Sequence, residues 1–170
     1  MTLCPELRRL SAEHARWLSE VERWEREDQA SRSARLLALW DAEILPHCRA
    51  EEEVLLPELA RRISEADALI VFTLGDHVVL RRLVRELREA EGPERFAAIE
   101  GFERKLAEHV DFEERTLFPG LQETLGCDRL AGFAADLAAT SVGRGPRPAP
   151  RARRSPERPP RERGRGDREP

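Results

Sequence analysis

The chain has 170 residues, 40% of them hydrophobic and 36% charged, with no Tyr. That length supports one good core and not two ordinary domains, and the bias toward Ala, Leu, Glu and Arg favours helix over sheet. The net charge of −4 is uneven: residues 141–170 hold ten Arg against four acids (+6), so residues 1–140 carry −4 − 6 = −10, which argues against a nucleic-acid-binding body.

No apolar run reaches the roughly 18 residues that a membrane span needs, and the residues before the first helix do not read as a signal peptide. Cys4, Cys48 and Cys127 are few, odd in number and without paired spacing. They suit reduced thiols in a cytoplasmic protein better than a disulfide scaffold.

A first helix is predicted from about Pro5 to Asp28, with Thr2 or Cys4 near its cap. Leu7, Leu10, His14, Trp17, Val21 and Trp24 follow in steps of three and four, the seam of a packed helix. His14 therefore occupies a core position. The polar stretch Glu25 to Ser33 reads as a loop, with Ser31 or Ser33 as the next cap.

The second helix has the seam Leu37, Trp40, Ile44, His47, Glu51 and Val54. Pro46 removes a backbone donor inside it and is expected to bend it, and Pro57 to kink or end it. Asp67 opens a third helix with seam Ile70, Thr73, His77, Leu80, Val84 and Leu87, stopped by Gly92-Pro93. The fourth has seam Ile99, Phe102, Leu106, His109, Glu113 and Thr116, with Pro119-Gly120 marking its end. A short amphipathic segment, about Cys127 to Ala139, is placed across the bundle end. Four helices with short connections predict an all-α, up-down-up-down antiparallel four-helix bundle over residues 1–140. Residues 141–170, with seven Pro, four Gly and ten Arg, read as a disordered tail capable of weak contact with an acidic surface.

The strongest pattern is a repeat. His47-Cys48-Arg49-Ala50-Glu51-Glu52 returns 62 residues later (109 − 47) as His109-Val110-Asp111-Phe112-Glu113-Glu114. Both copies continue with Leu at +8 and Pro at +10 from the His. The remaining histidines, His14 and His77, are 63 apart (77 − 14). Residues four apart share a helix face, so each copy aims an imidazole and a carboxylate at one place. A seam Glu without a partner costs several kcal/mol, about the penalty of an unpaired buried carboxylate, unless a cation holds it. Arg81, one turn past His77, is the basic side chain near enough to lean in. His14, His47, Glu51, His77, His109 and Glu113 are therefore the candidate metal ligands of a dinuclear site. Oxygen and nitrogen donors suit iron, manganese or zinc, and six donors exceed the four of a closed structural zinc. Two Glu bridge and two His cap each metal; with a solvent-derived oxygen bridge, each keeps an open position. Glu52 and Glu114 turn about 100° away from their neighbours and are expected to face solvent or else to back the ligands from outside, the solvent position being favoured. Cys48 is likewise expected to point away from the site. Trp17, Trp24 and Trp40 read as core, with Trp17 close enough to His14 to shield the metals.

His14, His47-x-x-x-Glu51, His77 and His109-x-x-x-Glu113 together resemble the haemerythrin-like (HHE cation-binding) domain, over about Cys4 to Leu125. The resemblance implies a four-helix bundle holding two non-haem iron ions with an oxo or hydroxo bridge. Oxygen-carrying haemerythrins use a fifth His on the third helix and an Asp on the fourth; here Thr73 and Arg81 flank His77, and Glu113 is the carboxylate. The four-His, two-Glu set is more similar to iron–sulfur-cluster repair proteins and to bacterial relatives active toward peroxide or NO, although a Cys-containing N-terminal domain is absent. The expected function is reaction with, or sensing of, O2, peroxide or NO, with or without turnover. The alternatives are iron donation to an iron–sulfur protein and a structural bundle stabilised by metal.

Overall fold

A computed structural model describes residues 2–141, and the reading of residues 141–170 as a tail lies outside the described residues apart from the last helical position, Ser141. Every regular element among the described residues is a helix. The first long helix is α1 (Pro5–Trp24). The second is a continuous run: α2 (Gln29–Leu39), a π turn (Trp40–Ile44), α3 (Leu45–Ala50), a second π turn (Glu51–Leu55) and α4 (Leu56–Ala60). The third is α5 (Ala68–Glu89). The fourth combines α6 (Gly92–Phe112), a π turn (Glu113–Leu117) and α7 (Phe118–Leu125). Short α8 (Cys127–Gly132) and α9 (Ala134–Ser141) follow. The all-α bundle expected from the seams is therefore present.

Each π turn has the same cause. Leu45, Leu56 and Phe118 each donate a backbone N–H to the carbonyl five residues back, on Trp40, Glu51 and Glu113. The next residue is in every case a proline: Pro46, Pro57 or Pro119. A helical proline lacks the N–H for the i−4 carbonyl and its ring crowds that group, so the preceding turn widens to admit it. The prolines thus neither end the helices nor simply kink them. The fourth helix runs on through Pro119 to Gly126, whose φ of 76° suits a residue without Cβ.

The widened turns also move the seam by one residue. Leu55 and Leu117 are fully buried, whereas Val54 is only partly buried and Thr116 is exposed. The seam of the third helix holds as expected, and that of the first holds through Trp17, with Val21 and Trp24 only partly buried. Asp67 caps α5 through Leu69 N–H. The second helix starts earlier than Ser33, because Asp28 accepts from the backbone N–H of Ala30 and Ser31 and so caps α2.

The cysteine expectation fails. Cys4 and Cys127 are joined by a disulfide, with Cα atoms 5.5 Å apart. Their separation of 123 residues hides the pairing from any spacing rule. α8 brings Cys127 to the start of α1, where Gln122 also accepts from the Cys4 N–H at 2.6 Å. Leu130 and Leu137 then complete the core at that end, as the amphipathic segment suggested. The disulfide removes the cysteine argument for a cytoplasmic location. Among the described residues no helix is long and apolar enough to cross a membrane.

Two apolar clusters fill the bundle. One gathers Leu36, Trp40, Ile44, Leu80, Phe102 and Leu106; the other gathers Leu7, Leu10, Leu55, Leu59, Phe118 and Leu121. The polar seam residues lie in the layer between them, one or two turns from each.

Candidate metal centre

All six predicted ligands meet in that layer. His14, His47, Glu51, His77, His109 and Glu113 are each 0–1% exposed. The imidazoles form two pairs. His14 and His47 have ring centroids 4.7 Å apart, and their Nε2 atoms are 3.0 Å apart. His77 and His109 have centroids 4.9 Å apart.

The carboxylates lie across both pairs. Glu51 places Oε1 3.5 Å from His47 Nε2 and Oε2 3.2 Å from His77 Nε2. Glu113 places Oε2 3.1 Å from His14 Nε2 and Oε1 3.2 Å from His109 Nε2. Each Glu therefore offers one oxygen to each pair. No hydrogen-bond donor among the described residues satisfies any of these four oxygens, nor the Nε2 atoms of His77 and His109. Orphaned buried acceptors of this kind are costly, and two cations between the pairs would satisfy them all. The donor set and its geometry fit metal.

The outer ring nitrogens show what the sequence reading missed. His14 Nδ1–H donates to Glu114 at 2.7 Å, His47 Nδ1–H to Glu13 at 2.8 Å and His77 Nδ1–H to Glu52 at 2.7 Å. Asp76 lies 3.8 Å from His109 Nδ1 and is itself paired with Lys105. A carboxylate behind an imidazole fixes its tautomer and aims the Nε2 lone pair inward. Glu52 and Glu114 are thus not free surface residues. The 100° turn that takes them off their own His carries each to a His of another helix. Arg81 does not reach the ligands; it donates to Glu52 at 2.8 Å and holds it against His77. Ser11 does the same for Glu114 at 2.9 Å.

A repeated signal for these partners is present in the sequence. An acid precedes each lone His (Glu13-His14 and Asp76-His77), and Glu follows each His-x-x-x-Glu. In the fold the −1 acid Glu13 serves His47 and Asp76 lies near His109 without a hydrogen bond to it, while the +5 acids serve His77 and His14. The two halves are related by the same exchange.

Burial alone would raise the carboxyl pKa of Glu113, but the imidazoles around it, His109 foremost, hold it well below the usual range. For Glu52 burial is likewise outweighed by His77 and Arg81, which bring its pKa down to about 2. Both stay anionic, as a cation centre requires.

Apolar rings enclose the His14 side. Phe118 stacks on His14 at 5.3 Å, and Trp17 meets His47 edge-on at 4.7 Å. Trp17 Nε1–H donates to Glu43 at 2.9 Å, which keeps the indole in place. Cys48 corrects a further expectation: it is fully buried and lies with His77 and His109, not away from the site.

Fold and site together define a metal-binding helical bundle of the carboxylate–histidine class. The hemerythrin HHE cation binding domain matches residues 5–121, and the chain belongs to that family. No curated protein and no solved structure shows significant similarity to it.

Proposed function

We propose that this chain holds two non-haem iron ions and reacts with, or senses, O2, peroxide or NO. The observation that carries this reading is the pair of unsatisfied carboxylates, Glu51 and Glu113, each lying across two histidine pairs. Iron at these positions would supply redox equivalents and an open coordination position for a small ligand. The protein's own residues supply the rest. Glu114, Glu13 and Glu52 orient three of the four imidazoles through hydrogen bonds to Nδ1. Glu51 and Glu113 bring negative charge that offsets two cations. Trp17 and Phe118 exclude bulk water from the His14 side. Such a site admits a diatomic molecule or peroxide more readily than a larger substrate, because all six donors are buried.

That same burial favours the second reading, in which metal only ties the two apolar clusters together. Elemental analysis and an optical spectrum of the aerobically purified protein, before and after peroxide or NO, separate them. Two iron per chain and a spectrum that responds to the small ligand support the proposal. One zinc and no iron in fully loaded protein would overturn it. Two metals with no spectral response would favour the structural reading.

A further inference from the structure

We propose that Cys48 is a sulfur donor to the metal position formed by His77 and His109, which makes the two positions of the centre chemically unequal. This rests on the dinuclear reading above.

Cys48 follows His47 and is turned about 100° from it around the helix. Ile44, Cys48, Glu51 and Leu55 form one seam in steps of 4, 3 and 4, and all four are fully buried. His47 turns toward α1, where it meets Glu13, His14 and Trp17. Cys48 turns toward α5 and α6 and packs in the cluster that holds Leu80, Val84, Leu106 and Val110. There its Sγ comes within 4.8 Å of a ring nitrogen of both His77 and His109, and those two nitrogens also lie within 4.8 Å of each other. One ion can reach three atoms so spaced.

The two imidazoles provide the independent sign of a ligand. Both are 0% exposed. His77 Nε2 and both ring nitrogens of His109 lack hydrogen-bond partners among the described residues. Cys48 is also the one free thiol, since Cys4 and Cys127 are bonded to each other. His77 and His109 gather a set with Glu51 and Glu113 and a second set with Cys48, whereas the set that holds His14 and His47 contains no cysteine. The extra donor therefore falls on one side of the centre alone. Thiolate is softer than carboxylate or imidazole, so the His77–His109 position should prefer borderline and softer cations over the all-N/O position. Ligation replaces the S–H bond by a metal–sulfur bond, and the thiol proton leaves to solvent.

The test uses the full chain, stripped of metal without reductant and reloaded with two equivalents of zinc as the probe. X-ray absorption at the zinc edge should show a sulfur neighbour at about 2.3 Å, at roughly one sulfur per two metals. Cys48→Ser should lose that shell while keeping the nitrogen and oxygen neighbours, and should release one proton fewer per chain on loading. If Cys48→Ser does not fold, the wild-type spectrum decides alone. Two bound zinc ions with only nitrogen and oxygen neighbours would overturn the proposal and leave the dinuclear centre standing. Failure to bind zinc, with iron also absent from the purified protein, would overturn both.

Discussion

His77 Nδ1–H donates to Glu52 at 2.7 Å, although Glu52 belongs to the helix that carries His47 and Glu51. One helix thus supplies a carboxylate that lies across both histidine pairs and, at the next residue, the acid that orients an imidazole on its neighbour.

Glu52→Ala and Glu114→Ala should therefore each weaken metal binding by about 10–100-fold, the usual effect of removing the partner of a ligating His. Glu53, exposed on the same turn, is the control, and Glu53→Ala should leave affinity unchanged. Competition with a chelator of known affinity measures all three. Equal values for the Glu52 and Glu53 variants would show that the contact to His77 does not orient the ligand.

The prolines yield a second prediction. On helix propensity alone, Pro57→Ala or Pro119→Ala should stabilise by up to about 3 kcal/mol. Closing the π turn would, however, rotate Leu55 or Leu117 by about 100° out of the core, and each fully buried Leu contributes about 1.5–3 kcal/mol. The two effects nearly cancel. Melting temperature should barely rise, while metal occupancy falls because Glu51 or Glu113 begins the altered turn. A clear gain in melting temperature with full metal content would show that the widened turn is incidental.

The disulfide separates stability from the site. Cys127→Ser reopens a link between residues 123 apart, and loss of a native disulfide costs about 2–5 kcal/mol. Melting temperature should drop by roughly 5–20 °C, and reductant should do the same to the wild type. Metal content should hold, since every donor lies in the four long helices. Metal loss in Cys127→Ser at a temperature where it remains folded would mean that α8 and α9 help to shape the centre.

That six polar side chains point inward to one place was legible because a 3–4 seam assigns each helical residue to one face, and the repeat made the assignment twice. What escaped that logic was relational. Glu52 and Glu114 act on other helices, so their own helical wheel shows only that they leave the seam. Cys48 lies about 100° from His47, and the wheel does not say that α5 and α6 stand on that side. The shift from Val54 to Leu55 needs knowledge that a proline two residues on widens the turn. The Cys4–Cys127 bond depends on where α8 docks, which no local pattern encodes.

The last prediction concerns metal removal and turns on the sign of one substitution. Both oxygens of Glu51 are buried without a hydrogen-bond donor. In metal-free protein that charge is a cost, because a buried carboxylate away from good partners is destabilising. Glu51→Gln keeps the shape and removes the charge, and a neutral amide is cheaper to bury. The chelated variant should then melt at or above the temperature of chelated wild type. With metal present the order should reverse, because an anion that faces both histidine pairs has been lost and the amide is a poor substitute. The variant should bind less metal and gain less melting temperature on loading, since stabilisation by a ligand scales with its affinity. The measurement is four melting curves, wild type and Glu51→Gln, each with metal and with chelator. Opposite signs in the two conditions identify Glu51 as a metal ligand. A drop of equal size in both would show that Glu51 serves only the packing of the apo bundle.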